Sequence, residues 1–188
     1  MLWLEGIAVL LGLSSVTLMA RQNPLAWPIG LAMVVLYSLI FAQTRLYSEM
    51  LLQLIYAVLQ LYGWWQWLYG GAQQQPRRVT RLPAAQMGRD LLLGALISLL
   101  LGGVMVTLTD ARLPWVDAAL TGFSLVAQWW MAQKRVQCWN LWLLLDLLYV
   151  LMFSLAELYL TAGLYLVFCG LALYGRQQWR KELTQCAS

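Results

Sequence analysis

The sequence has no histidine and few charged residues: only 11% of its 188 residues are Asp, Glu, Lys or Arg. A soluble domain carries about 25% charged residues, so the composition argues against a soluble globular protein. Without histidine there is no imidazole proton relay, and the three cysteines form no CxxC-type cluster that would bind zinc. We therefore expect free thiols, no metal centre, no cofactor and no catalytic residues.

Apolar side chains, by contrast, are abundant. The hydrophobic fraction is 62% and the mean hydropathy is +0.66, and apolar runs of membrane-spanning length recur along the chain. These features predict an all-α integral membrane protein with seven transmembrane helices. The N-terminus lacks a basic region and carries Glu5, so we expect the first span to be retained rather than cleaved. The predicted spans are 3–20, 27–43, 47–69, 90–108, 114–132, 138–155 and 158–176.

The basic residues are distributed unevenly between the two sides of these spans. Ten of the 12 Lys and Arg residues fall in the loops after spans 1, 3 and 5 and at the end of span 7. The other two, Arg45 and Arg112, fall on the opposite side. Because cytoplasmic loops are enriched in Lys and Arg, the N-terminus is predicted outside and the C-terminus in the cytoplasm. The net charge of +4 reflects these loops and does not indicate a nucleic-acid-binding surface. Four tryptophans at the ends of spans 3 and 7 are mostly assigned to an interfacial belt: Trp64, Trp65, Trp67 and Trp179.

An internal repeat relates the two ends of the chain. Sliding residues 1–67 by 112 positions aligns them without gaps on 113–179, with about 20 identities that include Trp27 with Trp139. We interpret this as a parallel repeat of three spans joined by one linking span, a 3+1+3 arrangement. Transporters built from parallel repeats place their substrate near the membrane midplane, between the halves. The predicted domains are a first three-helix repeat at 1–69, a cytoplasmic loop and linker helix at 70–112, and a second three-helix repeat with a cytoplasmic tail at 113–188.

A polar and aromatic face runs along span 6. Trp139, Trp142, Asp146 and Tyr149 recur at helical spacing, while the opposite face is almost all leucine. A carboxylate in the middle of an apolar span costs roughly 2.5–3.5 kcal/mol, so Asp146 should face protein or a cavity rather than lipid. The face therefore predicts either a binding site for a flat polar or cationic ring or a packed seam between helices.

Two other spans supply amide side chains to the same candidate site. Span 3 carries Gln53, Tyr56, Gln60, Gly63 and Trp67 on one face, and span 5 carries Gln128. Amides both donate and accept hydrogen bonds, so they suit hydroxyl groups and carboxamides. The alternative is that they join helices, at about 0.6 kcal/mol for each hydrogen bond. The candidate substrate-binding residues are Gln53, Tyr56, Gln60, Gln128, Trp139, Trp142, Asp146 and Tyr149.

Segments in both halves carry a distinctive order of motifs. They are 23–30, 46–48 and 61–67 in the first half, and 128–129, 139–142 and 158–161 with Lys134, Asp146 and Tyr149 in the second. Together they resemble the PnuC family of vitamin transporters over nearly the whole chain. The resemblance implies facilitative, uncoupled uptake of nicotinamide riboside by a full-length relative of the SWEET sugar transporters. It also implies a homotrimer in the bacterial inner membrane, and a cytoplasmic riboside kinase that traps the substrate for NAD synthesis.

The substrate implied by the resemblance fits the candidate site. Aromatic side chains can stack on its cationic pyridinium ring, with cation–π attraction of about 2 kcal/mol when desolvated. Asp146 can accept ribose hydroxyl groups or offset the positive charge. No Lys or Arg lies in the interior of the spans, so the phosphorylated mononucleotide should be rejected. Thiamine and riboflavin remain alternative substrates. From other classes, a non-transporting bundle and a membrane enzyme are the alternatives, although Asp146 lacks a histidine or nucleophile partner for catalysis.

Overall fold

The computed structural model describes residues 2–43, 47–108, 113–155 and 159–185, which form seven α-helices and one short 3₁₀ turn at Ala72–Gln74. The all-helical fold predicted from the apolar runs is thus confirmed. The helices are α1 (Leu2–Ala20), α2 (Ala26–Gln43), α3 (Tyr47–Tyr69), α4 (Ala84–Leu108), α5 (Pro114–Ala132), α6 (Cys138–Leu155) and α7 (Tyr159–Gln185).

Two helices are longer than their apolar runs. α4 begins at Ala84 rather than at 90, and α7 continues to Gln185 rather than ending at 176. Pro83 stands directly before α4, and its carbonyl oxygen accepts the 2.9 Å hydrogen bond from the backbone N–H of Met87. Proline is tolerated at a helix start because an N–H there has no partner within the helix. The predicted span limits follow hydropathy, which detects only the apolar part of a helix. The polar turns at the start of α4 and at the end of α7 were therefore not predicted.

Six of the helices form a closed ring. In order around the ring, α1 packs on α2, α2 on α3, α3 on α5, α5 on α6, α6 on α7, and α7 on α1. α4 lies outside the ring and packs on α5. The two contacts that join the halves are α3 with α5 and α7 with α1. The sequence repeat pairs α1 with α5 and α3 with α7. The two contacts between the halves are therefore equivalent to each other in the repeat.

Small residues line the seam between α4 and α5. Gly94 and Ser98 are buried one turn apart on α4. Gly122 faces them from α5, and a Cβ added to it would lie 2.8 Å from the carbonyl oxygen of Gly94. The two backbones can approach this closely because these positions lack bulky side chains. At one end of the seam, the carboxylate of Asp90 accepts a 2.9 Å hydrogen bond from the indole of Trp130.

The outer surface of the bundle is apolar. Leu99 and Leu100 on α4, and Leu144 and Leu151 on α6, are all exposed. Among the described residues, two helices meet the length and hydropathy of a membrane span: α4, with a mean hydropathy of 2.5, and α6, with 1.7. Exposed leucine over such an area suits contact with lipid better than contact with water.

The loops after α1, α3 and α5 meet the last turns of α7 at one end of the ring, which we call the basic end. Gln22 and Lys134 end α1 and α5 with positive φ angles of 57° and 49°. The Lys134 ammonium donates a 3.2 Å hydrogen bond to the side-chain oxygen of Gln22, and the side-chain nitrogen of Gln22 donates to the carboxylate of Glu182 on α7. These contacts join the two halves. Arg45 and Arg112, predicted for the other side, lie outside the described residues.

The loop between α3 and α4 docks on the loop between α5 and α6. The backbone N–H of Thr80 donates to the Lys134 carbonyl at 3.0 Å, and that of Val136 donates to the Thr80 carbonyl at 3.1 Å. The amide side chain of Gln137 both donates to and accepts from the backbone of Leu82 at 3.0 Å. The loop therefore ties the start of α4 to the second half of the ring.

Four indoles fill the basic end of the ring. Trp27 packs edge to face on Trp67 with ring centroids 5.4 Å apart, and Trp139 packs in the same way on Trp179, also at 5.4 Å. Trp67 and Trp179 are only 1% and 0% exposed, so their assignment to an interfacial belt is wrong. Trp67 lies one turn after Gly63, which the Trp27 indole covers, and Trp179 lies one turn after Gly175, which the Trp139 indole covers. Both Trp67 and Trp179 therefore lie on the inward face of their helices.

Hydrogen bonds between the halves at the basic end also occur in pairs. The Trp67 indole N–H donates to the carbonyl oxygen of Met131 at 3.0 Å, and the Trp179 indole N–H donates to that of Met19 at 3.2 Å. The sequence repeat relates the two donors to each other, and it relates the two acceptors in the same way. The halves are therefore clasped to each other by two equivalent bonds.

Candidate binding cavity

A cavity of about 320 Å³ lies inside the ring. All six ring helices contribute side chains to its wall, and none of the described residues of α4 does. Met19, Met131 and Trp139 form its floor, since each lies within one turn of a helix end at the basic end. The buried indoles of Trp67 and Trp179 lie beyond this floor.

The structure brings all eight sequence-predicted residues to the wall of this one cavity. Three come from α3, one from α5 and four from α6. They are Gln53, Tyr56, Gln60, Gln128, Trp139, Trp142, Asp146 and Tyr149.

The predicted polar face of α6 points into the cavity. Trp142, Asp146 and Tyr149 follow one another at about one helical turn and share the inward face. Leu144 and Leu151, on the other side of the helix, are exposed on the outer surface. The face borders open space, so it is not the closed seam that was the alternative reading.

Asp146 lies in the cavity wall without a charged partner. Its side chain is only 6% exposed. Among the described residues, none donates a hydrogen bond to its carboxylate or forms an ion pair with it, and no Lys or Arg lines the cavity. A buried carboxylate in apolar surroundings is costly unless a hydrogen bond or a positive charge compensates it. The compensating group must therefore come from a ligand, from water or from a proton.

Stacked aromatic rings form the wall beside Asp146. Tyr149 on α6 stacks on Tyr165 of α7 with centroids 4.6 Å apart and planes 26° apart. Phe153 stacks on the same tyrosine at 5.4 Å, and Phe168 meets it edge to face at 5.8 Å. This wall offers both ring faces and ring edges to a flat ligand.

Tyr165 and Phe168 also line the cavity, and neither was predicted from the sequence, although the signal was present. In the register of the repeat, Gln53 corresponds to Tyr165 and Tyr56 to Phe168. The repeat therefore predicts that α7 lines the cavity wherever α3 does. The spacing of aromatic residues on an apolar helix does not by itself mark them as cavity residues.

The repeat organises most of the wall. The majority of the lining residues fall into pairs that the repeat relates, with one member in each half. The cavity thus lies between equivalent faces of the two halves, whose side chains differ. The pairs are Gly12 and Ser124, Val16 and Gln128, Met19 and Met131, Val34 and Asp146, Tyr37 and Tyr149, Gln53 and Tyr165, Tyr56 and Phe168, and Gln60 and Ala172.

Gly30 on α2 leaves the space that the side chain of Gln60 occupies in the cavity wall. A Cβ added to Gly30 would lie 2.6 Å from the Gln60 side-chain nitrogen and 3.0 Å from the hydroxyl oxygen of Ser15. Gln60 is 6% exposed, and its side-chain oxygen has no hydrogen-bond partner among the described residues. That oxygen is an acceptor available to a ligand.

One hydrogen bond crosses the cavity wall between the halves. The hydroxyl groups of Tyr56 on α3 and Ser124 on α5 are 2.5 Å apart. Ser124 also donates to the carbonyl oxygen of Thr121 at 2.9 Å. These hydrogen bonds fix Tyr56 at the contact of α3 with α5. A relative movement of the halves would change this contact.

The chemistry of the wall suits recognition of a small organic molecule. It combines aromatic faces, amides and one carboxylate, and a cavity of this size lies at the lower end of ligand sites, which run from about 300 to 1,000 Å³. Among the described residues there is no group of three His, Cys, Asp or Glu side chains able to hold a metal ion. Cys138 and Cys169 are free thiols, as expected, and Cys186 lies outside the described residues.

An all-helical ring with an apolar exterior and a mixed polar and aromatic cavity is the architecture of a membrane transporter for small molecules. The chain belongs to the nicotinamide mononucleotide transporter family, whose model matches residues 2–181. The described fold also matches the crystal structure of the vitamin B3 transporter PnuC with a TM-score of 0.75, at 22% identity, covering 97% of this chain and 83% of that one.

Characterised relatives carry two different substrate names. The chain is 25% identical to the nicotinamide riboside transporter PnuC of Escherichia coli (strain K12), over 94% of this chain and 84% of that protein. It is 27% identical to the riboflavin/roseoflavin transporter RibM of Streptomyces davaonensis, over 95% of this chain and 84% of that protein. The PnuC protein of Neisseria mucosa is 25% identical, over 95% of this chain and 72% of that protein. Family and fold therefore define a transporter, and the cavity must indicate the substrate.

Proposed function

We propose that this protein mediates facilitative uptake of nicotinamide riboside across the bacterial inner membrane. The observation that carries the proposal is the meeting of aromatic rings, three glutamine amides and an uncompensated carboxylate in one cavity of about 320 Å³. Nicotinamide riboside combines a flat cationic ring, a carboxamide and a ribose. Each of these groups finds a side chain of matching chemistry in the wall.

The aromatic side of the cavity suits the nicotinamide ring. Trp142 and Tyr149 on α6 and Tyr165 on α7 line the cavity, and an aromatic ring face attracts a desolvated cation by about 2 kcal/mol. The amides of Gln53 and Gln60 lie across the ring on α3 and can bind the carboxamide and ribose hydroxyl groups. The free side-chain oxygen of Gln60 supports this role, since a ligand donor would satisfy it.

The mononucleotide in the family's name fits less well than the riboside. Its phosphate adds negative charge that needs Arg, Lys or clustered N–H donors when buried. No Lys or Arg among the described residues lines the cavity, and Asp146 would repel the phosphate. We infer that the dephosphorylated riboside is carried, and that phosphorylation by a cytoplasmic kinase retains it for NAD synthesis.

The transport cycle follows from the paired contacts between the halves. We propose a 3+1+3 parallel repeat, with domains at 1–69, 70–112 and 113–188 and a SWEET-like arrangement of seven spans. The equivalence of the bonds from Trp67 and Trp179, and the paired lining residues, support it. In this proposal the basic end is cytoplasmic and the N-terminus outside. Release to the cytoplasm then requires the halves to rock apart at the indoles. A homotrimer remains part of the proposal through family resemblance alone.

Riboflavin is the second candidate substrate, because RibM is as similar to this chain as the PnuC relatives are. Its isoalloxazine ring is flat but neutral, and it is larger than nicotinamide. Thiamine, which is cationic, is the third. The charge in the cavity favours the two cationic vitamins over riboflavin.

Isothermal titration of the purified protein tests the substrate. The ligands are nicotinamide riboside, nicotinamide mononucleotide, thiamine and riboflavin, measured in parallel. Heat from the riboside and none from the mononucleotide is expected. Binding of riboflavin or thiamine alone would refute the riboside proposal while leaving the fold and family intact.

A further inference from the structure

The Asp146 carboxylate is the one charged group in a cavity wall that is otherwise neutral among the described residues. The charge of Asp146 acts on the phenols of Tyr149 and Tyr165 and on the thiol of Cys169, and none of these groups carries positive charge. The repeat-related position on α2 is Val34, so the other half supplies no matching charge. The wall therefore has one negative side and one neutral side.

We propose that Asp146 is the counter-ion of a cationic ring and so makes the cavity discriminate between a charged ring and a neutral ring of the same shape. The inference rests on the proposed function and goes further, because it assigns substrate selectivity to one residue. A carrier of a neutral flavin would not need such a counter-ion.

The position of Asp146 favours this role over binding of ribose hydroxyl groups. It lies on the same inward face as Trp142 and Tyr149, four residues after the first and three before the second. A ring stacked on either aromatic side chain would lie beside the carboxylate. The amides of Gln53 and Gln60, on a helix of the other half, both donate and accept, so they suit hydroxyl groups better than an acceptor-only carboxylate does.

Physical magnitudes make the effect measurable. Opposite unit charges in contact attract more strongly inside a protein than in water, because the effective dielectric constant is lower. Part of this is offset by desolvation of the ligand cation. A residual preference of about tenfold or more for the cationic ligand is therefore expected.

The reduced riboside is the matched probe. In 1,4-dihydronicotinamide riboside the ribose, the carboxamide and the ring atoms are kept, while the positive charge is lost. Titration of the wild-type protein should show about tenfold or greater preference for the oxidised form. In Asp146→Asn the affinity for the oxidised form should fall, that for the reduced form should stay within about threefold, and the preference should shrink to the part that the aromatic side chains provide.

Glu182→Gln is the control. It removes one negative charge from the last turns of α7 at the basic end, outside the cavity, and should leave the preference unchanged. Equal affinity of the wild-type protein for both ribosides would overturn the proposal, whether or not Asp146→Asn folds. A preference that is undiminished in a folded Asp146→Asn protein would overturn it as well.

The substrate proposal can fail separately. If neither riboside binds and thiamine does, nicotinamide riboside is the wrong substrate. In that case loss of thiamine affinity in Asp146→Asn, with Glu182→Gln unaffected, would uphold the counter-ion. If riboflavin alone binds, and with equal affinity to wild type and Asp146→Asn, both proposals are refuted.

Discussion

Replacement of Gly30 with alanine would show whether Gln60 must occupy its observed place for binding. The added Cβ would lie 2.6 Å from the Gln60 side-chain nitrogen and 3.1 Å from its Cδ. It would also lie 3.0 Å from the hydroxyl oxygen of Ser15, which is anchored by a 2.8 Å hydrogen bond to the Ala26 carbonyl. Ser15 cannot yield easily, so the Gln60 amide must retreat by about 1 Å to reach normal contact.

The expected result is weaker binding of nicotinamide riboside with little change in stability. A hydrogen bond between neutral groups contributes about 0.5–1.5 kcal/mol, so the dissociation constant should rise by about three- to tenfold. Alanine in place of glycine within a helix stabilises by up to about 1 kcal/mol, which offsets the strain of the added methyl group. Isothermal titration measures the first effect and thermal unfolding in detergent the second.

Two comparisons isolate the cause. Gly170→Ala on α7 adds the same methyl group where no atom lies within 4 Å, and should leave affinity unchanged. In a Gln60→Ala background, Gly30→Ala should cost little further affinity, because the displaced amide is gone. If Gly30→Ala weakens binding as much without Gln60 as with it, the effect does not act through Gln60 and the reasoning is wrong.

Three further outcomes are expected from the site and the contacts around it. Trp142→Ala should weaken riboside binding about tenfold or more in titration without loss of folding, because it removes a stacking face; wild-type affinity would exclude this residue from the site. Trp67→Phe and Trp179→Phe should each lower the free energy of unfolding by about 1 kcal/mol in thermal melts, since each loses one bond between the halves; unchanged melting would show that the bonds do not clasp the halves. Uptake into vesicles that lack a kinase should survive collapse of the proton gradient; sensitivity to an uncoupler would refute uncoupled transport.

The helices and the inward face of α6 were predictable because both depend on local patterns. An apolar run long enough to span a membrane must be helical, since its backbone groups have no other partner in lipid. Asp146 on such a helix must avoid lipid, and its helical neighbours Trp142 and Tyr149 turn inward with it. The sequence alone therefore placed these residues on one face, and the structure adds that the face borders a cavity.

The role of the tryptophans was not predictable from the ends of the helices alone. Position along a span indicates depth in the membrane, whereas burial depends on which side of the helix meets a neighbour. Trp67 and Trp179 lie at belt depth but face inward, where Trp27 and Trp139 cover the glycine one turn before each. Helical spacing, by contrast, places Trp67 on the same face as Gln60, two turns earlier, and this is the interior side.

The two halves share the same helical arrangement, and the differences between their side chains are concentrated in the cavity, where a ligand would bind. At the basic end Trp67 and Trp179 make equivalent bonds, as a motion that moves two similar bodies about a common axis requires. Within the cavity, the same repeat places Gln60 opposite Ala172 and Val34 opposite Asp146. Symmetric contacts can open and close without favouring either half, whereas an asymmetric ligand needs an asymmetric wall. In the proposed transport cycle, the repeat would provide the motion of the halves, and its departures from symmetry would provide recognition of the ligand.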